Sequence, residues 1–301
     1  MAERVTVRVP ASSANLGPGF DCLGMALALT ADVTLTLEPQ SSESSHPLVS
    51  MVAAAARAAY RAAGRPDPEA LSVVWKGEAS AGSAETLPIA RGLGVSAAAR
   101  AAGLVGANAL MDKPIALDEL LALGATLEGH ADNMAPALFG GLQVTARDGE
   151  SWRHLSVPLA AGLKVVLFVP DFNMPTRESR KKLPQRLSRE DAVFNIGRAS
   201  LLVAALAQGR WDLLDAATQD RLHQPARAKL FPALYDIFDA AKEAGAHAAY
   251  LSGGGSTVAA LVTENEERVA RLMQQAATAR GYSGRAMITE PSDQGARVVE
   301  G

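Results

Sequence analysis

The sequence predicts an α+β fold divided into two domains, and three observations lead there. The 301 residues are enough for two ordinary domains with buried cores. Strand-like and helix-like stretches are mixed without the strict alternation of a doubly wound sheet. A strongly apolar run, Leu163–Val169, starts a new strand in mid-chain, which puts the expected division at 1–155 and 156–301.

The elements follow in order. Val5, Val7 and Val9 alternate with Thr6 and Arg8, the pattern of a half-buried strand. A turn-rich stretch, Pro10 to Asp21, comes next and holds Asn15, Gly17, Pro18 and Gly19. Val33, Leu35 and Leu37 alternate as a second strand, and Gln40 to His46 reads as a serine-rich loop. An alanine-rich helix spans Val49 to Ala63 and stops at Gly64. Leu71–Trp75 is a strand, Gly77 to Gly94 is irregular, and a helix runs from Ser96 to Leu110. In the helix Asp118–Glu128, Leu120, Leu123 and Leu127 form one face and Asp118 is placed to cap the start. Leu142–Thr145 is a strand. The second half reads as helices at Arg189–Gln208, Leu230–Ala244 and Glu266–Arg280, with strands at Ala248–Leu251 and Val258–Val262 around the cluster Gly253 to Gly255.

Composition excludes several functions. Hydrophobic residues are 48% and charged residues 20%, as in globular rather than disordered chains. A net charge of -3 gives no basic stripe for nucleic acid, although a few local arginines suffice for a small anion. One cysteine, Cys22, permits neither an internal disulfide nor a cysteine zinc site. The start has no apolar signal core, and no stretch approaches the roughly 18 apolar residues of a membrane span. The expectation is a cytoplasmic protein with no membrane and no nucleic-acid partner; a homodimer is left open.

The most informative local feature is Pro88-Ile89-Ala90-Arg91-Gly92-Leu93-Gly94-Val95-Ser96-Ala97. Two glycines allow unusual backbone angles and close approach of a ligand. The loop runs into a helix whose first amides lack internal partners, so amides and dipole together make an anion site. Ser96 sits where its hydroxyl meets a metal ion or a phosphate oxygen, although a turn plus a serine cap explains the same residues. No Gly-Lys-Ser/Thr follows, so this is no Walker A loop. Gly-x-Gly-x-x-Ala also fits a dinucleotide fingerprint, but Pro88 and Arg91 interrupt the strand that reading needs, and Asp112 lies on a polar turn rather than at a strand end.

Four separated segments resemble the homoserine kinases of the GHMP kinase family. They are Val9 to Asp21, the loop 88–97, Glu128-Gly129-His130-Ala131-Asp132-Asn133-Met134-Ala135-Pro136-Ala137, and Ser252-Gly253-Gly254-Gly255-Ser256-Thr257. Thr176 to Pro184 and Asp191 to Leu202 are similar too, and the matches keep family order over most of the chain. The resemblance implies a two-domain GHMP kinase fold: an N-terminal α+β domain carrying the glycine loop, and a ferredoxin-like C-terminal domain. It implies ATP over the loop, with Pro88, Ala90, Arg91, Gly92, Leu93, Gly94, Val95, Ser96 and Ala97 around the phosphates. It implies Mg²⁺ on Ser96 and Glu128, and L-homoserine in the cleft, phosphorylated to O-phospho-L-homoserine for threonine biosynthesis. Asn15, Asp21, Asn133, Thr176, Arg180, Arg227 and Gly254 are the implied substrate contacts. Asp21 meets the ammonium group, and the planar guanidinium groups of Arg180 and Arg227 suit the carboxylate. Ser96, Glu128 and Arg180 are the implied catalytic residues, and no catalytic base is nominated. His-x-Asp at His130 and Asp132 has no third ligand nearby and is weak evidence for a metal; Asp132 and Asn133 line the pocket and His130 braces the loop.

Three departures stand out. Val95 replaces the first of two usual serines, Ala90 and Arg91 replace smaller residues, and Ser256 replaces a common proline. They keep open a degenerate binder without catalysis, and the family likeness alone leaves open a kinase for a sugar or mevalonate-like alcohol.

Overall fold

The structure, a computed structural model, describes residues 3–39, 46–76, 87 and 91–301. Its strands are β1 Arg4–Ala14, β2 Leu23–Thr36, β3 Ser72–Lys76, β4 Leu142–Asp148, β5 Ser151–Val157, β6 Lys164–Pro170, β7 Ala248–Leu251, β8 Val258–Val262, β9 Gly284–Thr289 and β10 Arg297–Glu300. Its helices are α1 Pro47–Ala62, α2 Val95–Leu110, α3 Leu117–Glu128, α4 Met134–Phe139, α5 Thr176–Lys181, α6 Arg189–Gln208, α7 Leu214–Ala217, α8 Gln224–Ala228, α9 Leu234–Glu243 and α10 Glu266–Ala279. The serine-rich segment 40–45 and the residues 77–86 and 88–90 lie outside the described residues.

Two sheets carry the α+β architecture. The first runs β10-β1-β2-β4-β5, with β3 also paired to β2; the second runs β7-β8-β6-β9. In the second, the chain order β6, β7, β8, β9 with helices after β6 and β8 gives the antiparallel ferredoxin-like arrangement. The expected division at 155 falls inside β5. The segment after β9 then crosses back. Ser292 N donates to Ala26 O at 3.0 Å, and β10 adds itself antiparallel to β1. The two sheets are therefore not two contiguous halves of the sequence.

Why β6, β7 and β8 of the second sheet read as unbroken apolar runs is clear from their neighbours. Val165, Leu167, Tyr250, Ala259 and Leu261 face a core shared with the first sheet and with α6. Val166, Phe168, Leu251, Val258 and Ala260 face a second core under α9 and α10. Both faces of these three strands are buried, so no polar face is left to alternate. The same reason hides the first half of β2, buried at nearly every position from Leu23 to Leu27, from a period-two reading.

Three local expectations change. The turn-rich stretch after Pro10 stays in β1 as far as Ala14, because the register shift between Pro10 and Ala11 absorbs the proline. In α3 the buried face is Leu120, Leu121, Gly124 and Ala125, while Leu127 is exposed; Gly124 lies against the side chain of Met134, which a larger residue would push away. Asp118 makes no cap: Ala116 holds that position, and the Asp118 carboxylate accepts from His154 Nε2 at 3.1 Å.

Candidate active site

A cavity of about 860 Å³ opens where the two sheets meet, within the size range of small-molecule sites. Its wall joins the turn after β1, the glycine loop, the start of α2, the segment Glu128 to Asn133, Arg180, Arg227 and the turn Gly253–Gly254.

One end is built from backbone. Gly92 and Gly94 have φ of +82° and +63°, which glycine adopts freely. A Cβ on Gly94 would stand 2.0 Å from Ser12 Oγ and 2.7 Å from Asn133 Oδ1, so glycine is the residue that fits. Ala98 N is the first amide to bond back into α2, to Gly94 O at 2.9 Å. The amides of Val95, Ser96 and Ala97 are therefore those a helix start leaves over. Ser96 Oγ donates to Glu128 Oε2 at 3.3 Å, which brings together two hard oxygens of the kind Mg²⁺ takes. Val95 lines the cavity, while Ala97 is buried in α2.

The other end is built from side chains. Asp21, with φ +58°, forms a two-pronged ion pair with Arg180, Nη1 to Oδ2 at 2.6 Å and Nη2 to Oδ1 at 2.5 Å. Arg227, only 1% exposed, donates through Nη1 to Gly253 O at 2.9 Å and to His223 Nδ1 at 2.8 Å, and its Nε has no partner among the described residues. Burial, and then the charge of Arg180, lowers its pKa to about 10, which still leaves it charged at neutral pH. Both guanidinium groups lie over the Phe20 ring, at 5.0 and 5.5 Å from its centroid.

His223 is held as the neutral imidazole protonated on Nε2. Nδ1 accepts from Arg227, and Nε2 donates to Gly17 O at 2.7 Å. Burial outweighs the pull of Asp220 and lowers its pKa to about 4. The buried Asp220 carboxylate is satisfied by the amides of Leu222, His223 and Gln224 and by Asn195 Nδ2.

Asn15 uses its side chain as a brace: Nδ2 donates to Gly253 O at 2.9 Å and Oδ1 accepts from Asp21 N at 3.0 Å. Asn133 accepts from Ser12 Oγ at 3.0 Å. Asp132 Oδ1 pairs with His130 Nδ1 at 2.6 Å and accepts from Asn133 N at 2.9 Å. Burial presses the His130 pKa down, but the hydrogen bond and charge of Asp132 and the charge of Glu128 raise it above its usual value. Cys22 is pushed up to about 11 by burial and then by Asp132 and Asp21, so it stays a thiol and is no nucleophile at neutral pH.

Most of the residues named from sequence meet in this cavity: Asn15, Asp21, Gly92 to Ser96, Glu128, Asn133, Arg180, Arg227 and Gly254 line one wall. Arg91 does not; its guanidinium donates to Asn173 Oδ1 at 2.6 Å and to Pro170 O, so it ties the loop to the end of β6. Pro88 and Ala90 lie outside the described residues, and Thr176 is described by its backbone alone, as the first residue of α5. Sequence reasoning missed Arg100 and His223. Arg100, one turn after Ser96 on α2, lines the cavity and donates to Glu128 Oε1; the i,i+4 spacing from Ser96 is the signal that would have found it.

Comparison with known proteins gives the family. The model for the GHMP kinases N terminal domain matches residues 50–141, and that for GHMP kinases C terminal matches residues 202–282. Homoserine kinase from Moorella thermoacetica is 41% identical over 308 residues, covering 97% of this chain and 99% of that protein. The chain belongs to the homoserine kinase family of GHMP kinases. The homoserine kinase of Deinococcus radiodurans is likewise 41% identical over 313 residues, with 99% and 98% covered. The crystal structure of homoserine kinase from Cytophaga hutchinsonii superposes with a TM-score of 0.85 at 26% identity, covering 99% of this chain and 98% of that one. The cavity thus offers one end built of backbone and one built of charged side chains.

Proposed function

We propose that the chain phosphorylates the side-chain hydroxyl of L-homoserine with ATP, giving O-phospho-L-homoserine for threonine biosynthesis in the cytoplasm. The observation that carries this reading is Arg227: a cation buried in the cavity wall, with an unpaired Nε and no carboxylate bonded to it among the described residues. Leaving such a donor unmatched is costly, and a substrate carboxylate satisfies it.

The amino acid's charges fix its direction. Its carboxylate goes to Arg227 and Arg180, and its ammonium to Asp21. The side-chain hydroxyl then extends toward the glycine loop. The loop amides and the start of α2 receive the triphosphate, whose negative charge they favour. Ser96 and Glu128 are the residues that would hold Mg²⁺, and a bound Mg²⁺ supplies charge neutralisation on the phosphates. Arg100 keeps one Glu128 oxygen engaged and leaves the other beside Ser96. Aligning acceptor and donor in this way supplies on the order of 7 kcal/mol of the barrier reduction. Asp132 and His130 are bonded to each other and brace Asn133, and the transfer calls for no covalent intermediate.

Coupled ATP turnover tests the reading, with L-homoserine, mevalonate and galactose compared as acceptors. L-homoserine alone is expected to release ADP rapidly. Equal rates with all three acceptors, or no turnover with homoserine, would overturn it.

A further inference from the structure

Three successive carbonyls of the glycine loop are held by two segments, the turn Ser252–Thr257 and β1. Arg91 O accepts from Thr257 N at 2.9 Å, Gly92 O from Ser252 Oγ at 2.6 Å, and Leu93 O from Ser12 N at 3.1 Å. A peptide unit is planar and its C=O and N–H point opposite ways, so a fixed carbonyl fixes the next amide. The carbonyl of Gly92 thus sets the amide of Leu93. It is the one of the three held by a side chain.

Ser252 does not stand alone. Its Oγ lies 2.8 Å from Ser13 Oγ, which lies 3.2 Å from Tyr250 Oη, and all three residues are fully buried. Each hydroxyl has one proton to give. Ser252 gives its proton to Gly92 O, so Ser13 donates to Ser252, and Tyr250 donates to Ser13. Burial pushes the Tyr250 pKa up to about 12, so the phenol keeps its proton at any working pH. The result is a directed chain, Tyr250 to Ser13 to Ser252 to Gly92 O, running from the second sheet through β1 into the loop.

We propose that this buried hydroxyl chain positions the glycine loop for nucleotide, making Ser252, Ser13 and Tyr250 positioning residues for phosphate binding. None of the three lines the cavity. The proposal rests on the nucleotide reading of the loop. Its signature is a gradient. Removing the hydroxyl next to Gly92 frees the carbonyl; removing one further away leaves Ser252 bonded but less well oriented.

The test is titration of a non-hydrolysable ATP analogue with Mg²⁺ into the wild-type protein and the variants Ser252→Ala, Ser13→Ala and Tyr250→Phe, with a melting temperature for each. Affinity is expected to fall about tenfold for Ser252→Ala, about threefold for Ser13→Ala and less than twofold for Tyr250→Phe. The KM for homoserine is expected to stay within about twofold throughout. Wild-type affinity in all three variants, with only the melting temperatures lowered, would mean the chain merely packs the interface and would overturn the inference. So would a larger loss for Tyr250→Phe than for Ser13→Ala. Tyr250→Phe keeps the ring and its packing, so if Ser252→Ala fails to fold, the order of the other two still decides. A wild-type protein that does not bind the analogue would instead sink the nucleotide reading itself.

Discussion

The two ends of the cavity are made of different material. The loop end, to which the proposal assigns the phosphates, consists of loop carbonyls tied back into the protein and of amides left over at the start of α2. The charged end, to which the proposal assigns the amino acid, consists of side chains from distant segments: Asp21 and Arg180 are 159 residues apart, and Arg227 comes from a third element. A backbone site tolerates change in the side chains it displays, because the amides remain. A side-chain site loses its function with a single atom. The lesson is that substitutions at the first end are to be judged by φ and space, and at the second by charge and hydrogen bonds.

The sharpest break of this comparison is Arg227→Met. Removing a buried, hydrogen-bonded charge is expected to lower kcat/KM for homoserine by roughly 1,000-fold, on the order of 4 kcal/mol, with the KM for ATP nearly unchanged. Steady-state kinetics with each substrate varied in turn checks it. Gly94→Ala attacks the other end through space rather than charge. The added Cβ meets Ser12 Oγ at 2.0 Å at a left-handed φ, so nucleotide affinity should fall by about 100-fold, as read by calorimetric titration. Asp21→Asn keeps the shape but discharges one side of the ion pair with Arg180; the KM for homoserine should rise by about 30-fold, while an unchanged KM would remove Asp21 from the ammonium role.

A fourth expectation concerns stability. The His223 pKa is about 4 in the fold against 6.5 as the ordinary value, so the folded state prefers the neutral ring. The unfolded chain takes up the proton first as pH falls. The stabilisation is therefore complete above about pH 6.5 and is lost progressively toward pH 4, on the order of 3 kcal/mol in all. Urea unfolding at pH 7 and pH 5 should show the loss, and His223→Gln should flatten it. The smallest effect expected is that of Val95→Ser, which restores a common hydroxyl to the loop. If the amides do the binding, the KM for ATP moves by about twofold at most. A gain of tenfold or more in turnover would show instead that the valine marks a weakened kinase.

Legibility follows the same division. The glycine spacing announced the loop's geometry, because left-handed φ and close approach are local demands that glycine alone answers. Strands β7 and β8 and the helices α2 and α6 were equally plain, being long or strongly patterned. Strands β5, β9 and β10 were not read: each depends on partners far along the chain, and β5 alternates half-buried with exposed residues rather than apolar with polar ones. Asp118 looked like a cap because caps are local, yet its carboxylate was taken by His154, 36 residues away. His223 showed nothing in sequence, since its role is fixed by Gly17 and Arg227, and one of these lies 206 positions away. Asn15 and Asp21 were visible only through the family likeness, as a turn alone explains both residues.

The return of residues 297–300 to the side of β1 has a bearing on how the molecule is made. β1 leaves the ribosome before β10, the strand that fills one of its flanks, has been made. The first sheet therefore waits for residues 297–300 before its hydrogen-bond ladder closes, although segments made first usually fold first. A protease nick between β9 and β10 would reopen that flank and leave an unpaired edge that invites aggregation, even with every residue of the cavity intact.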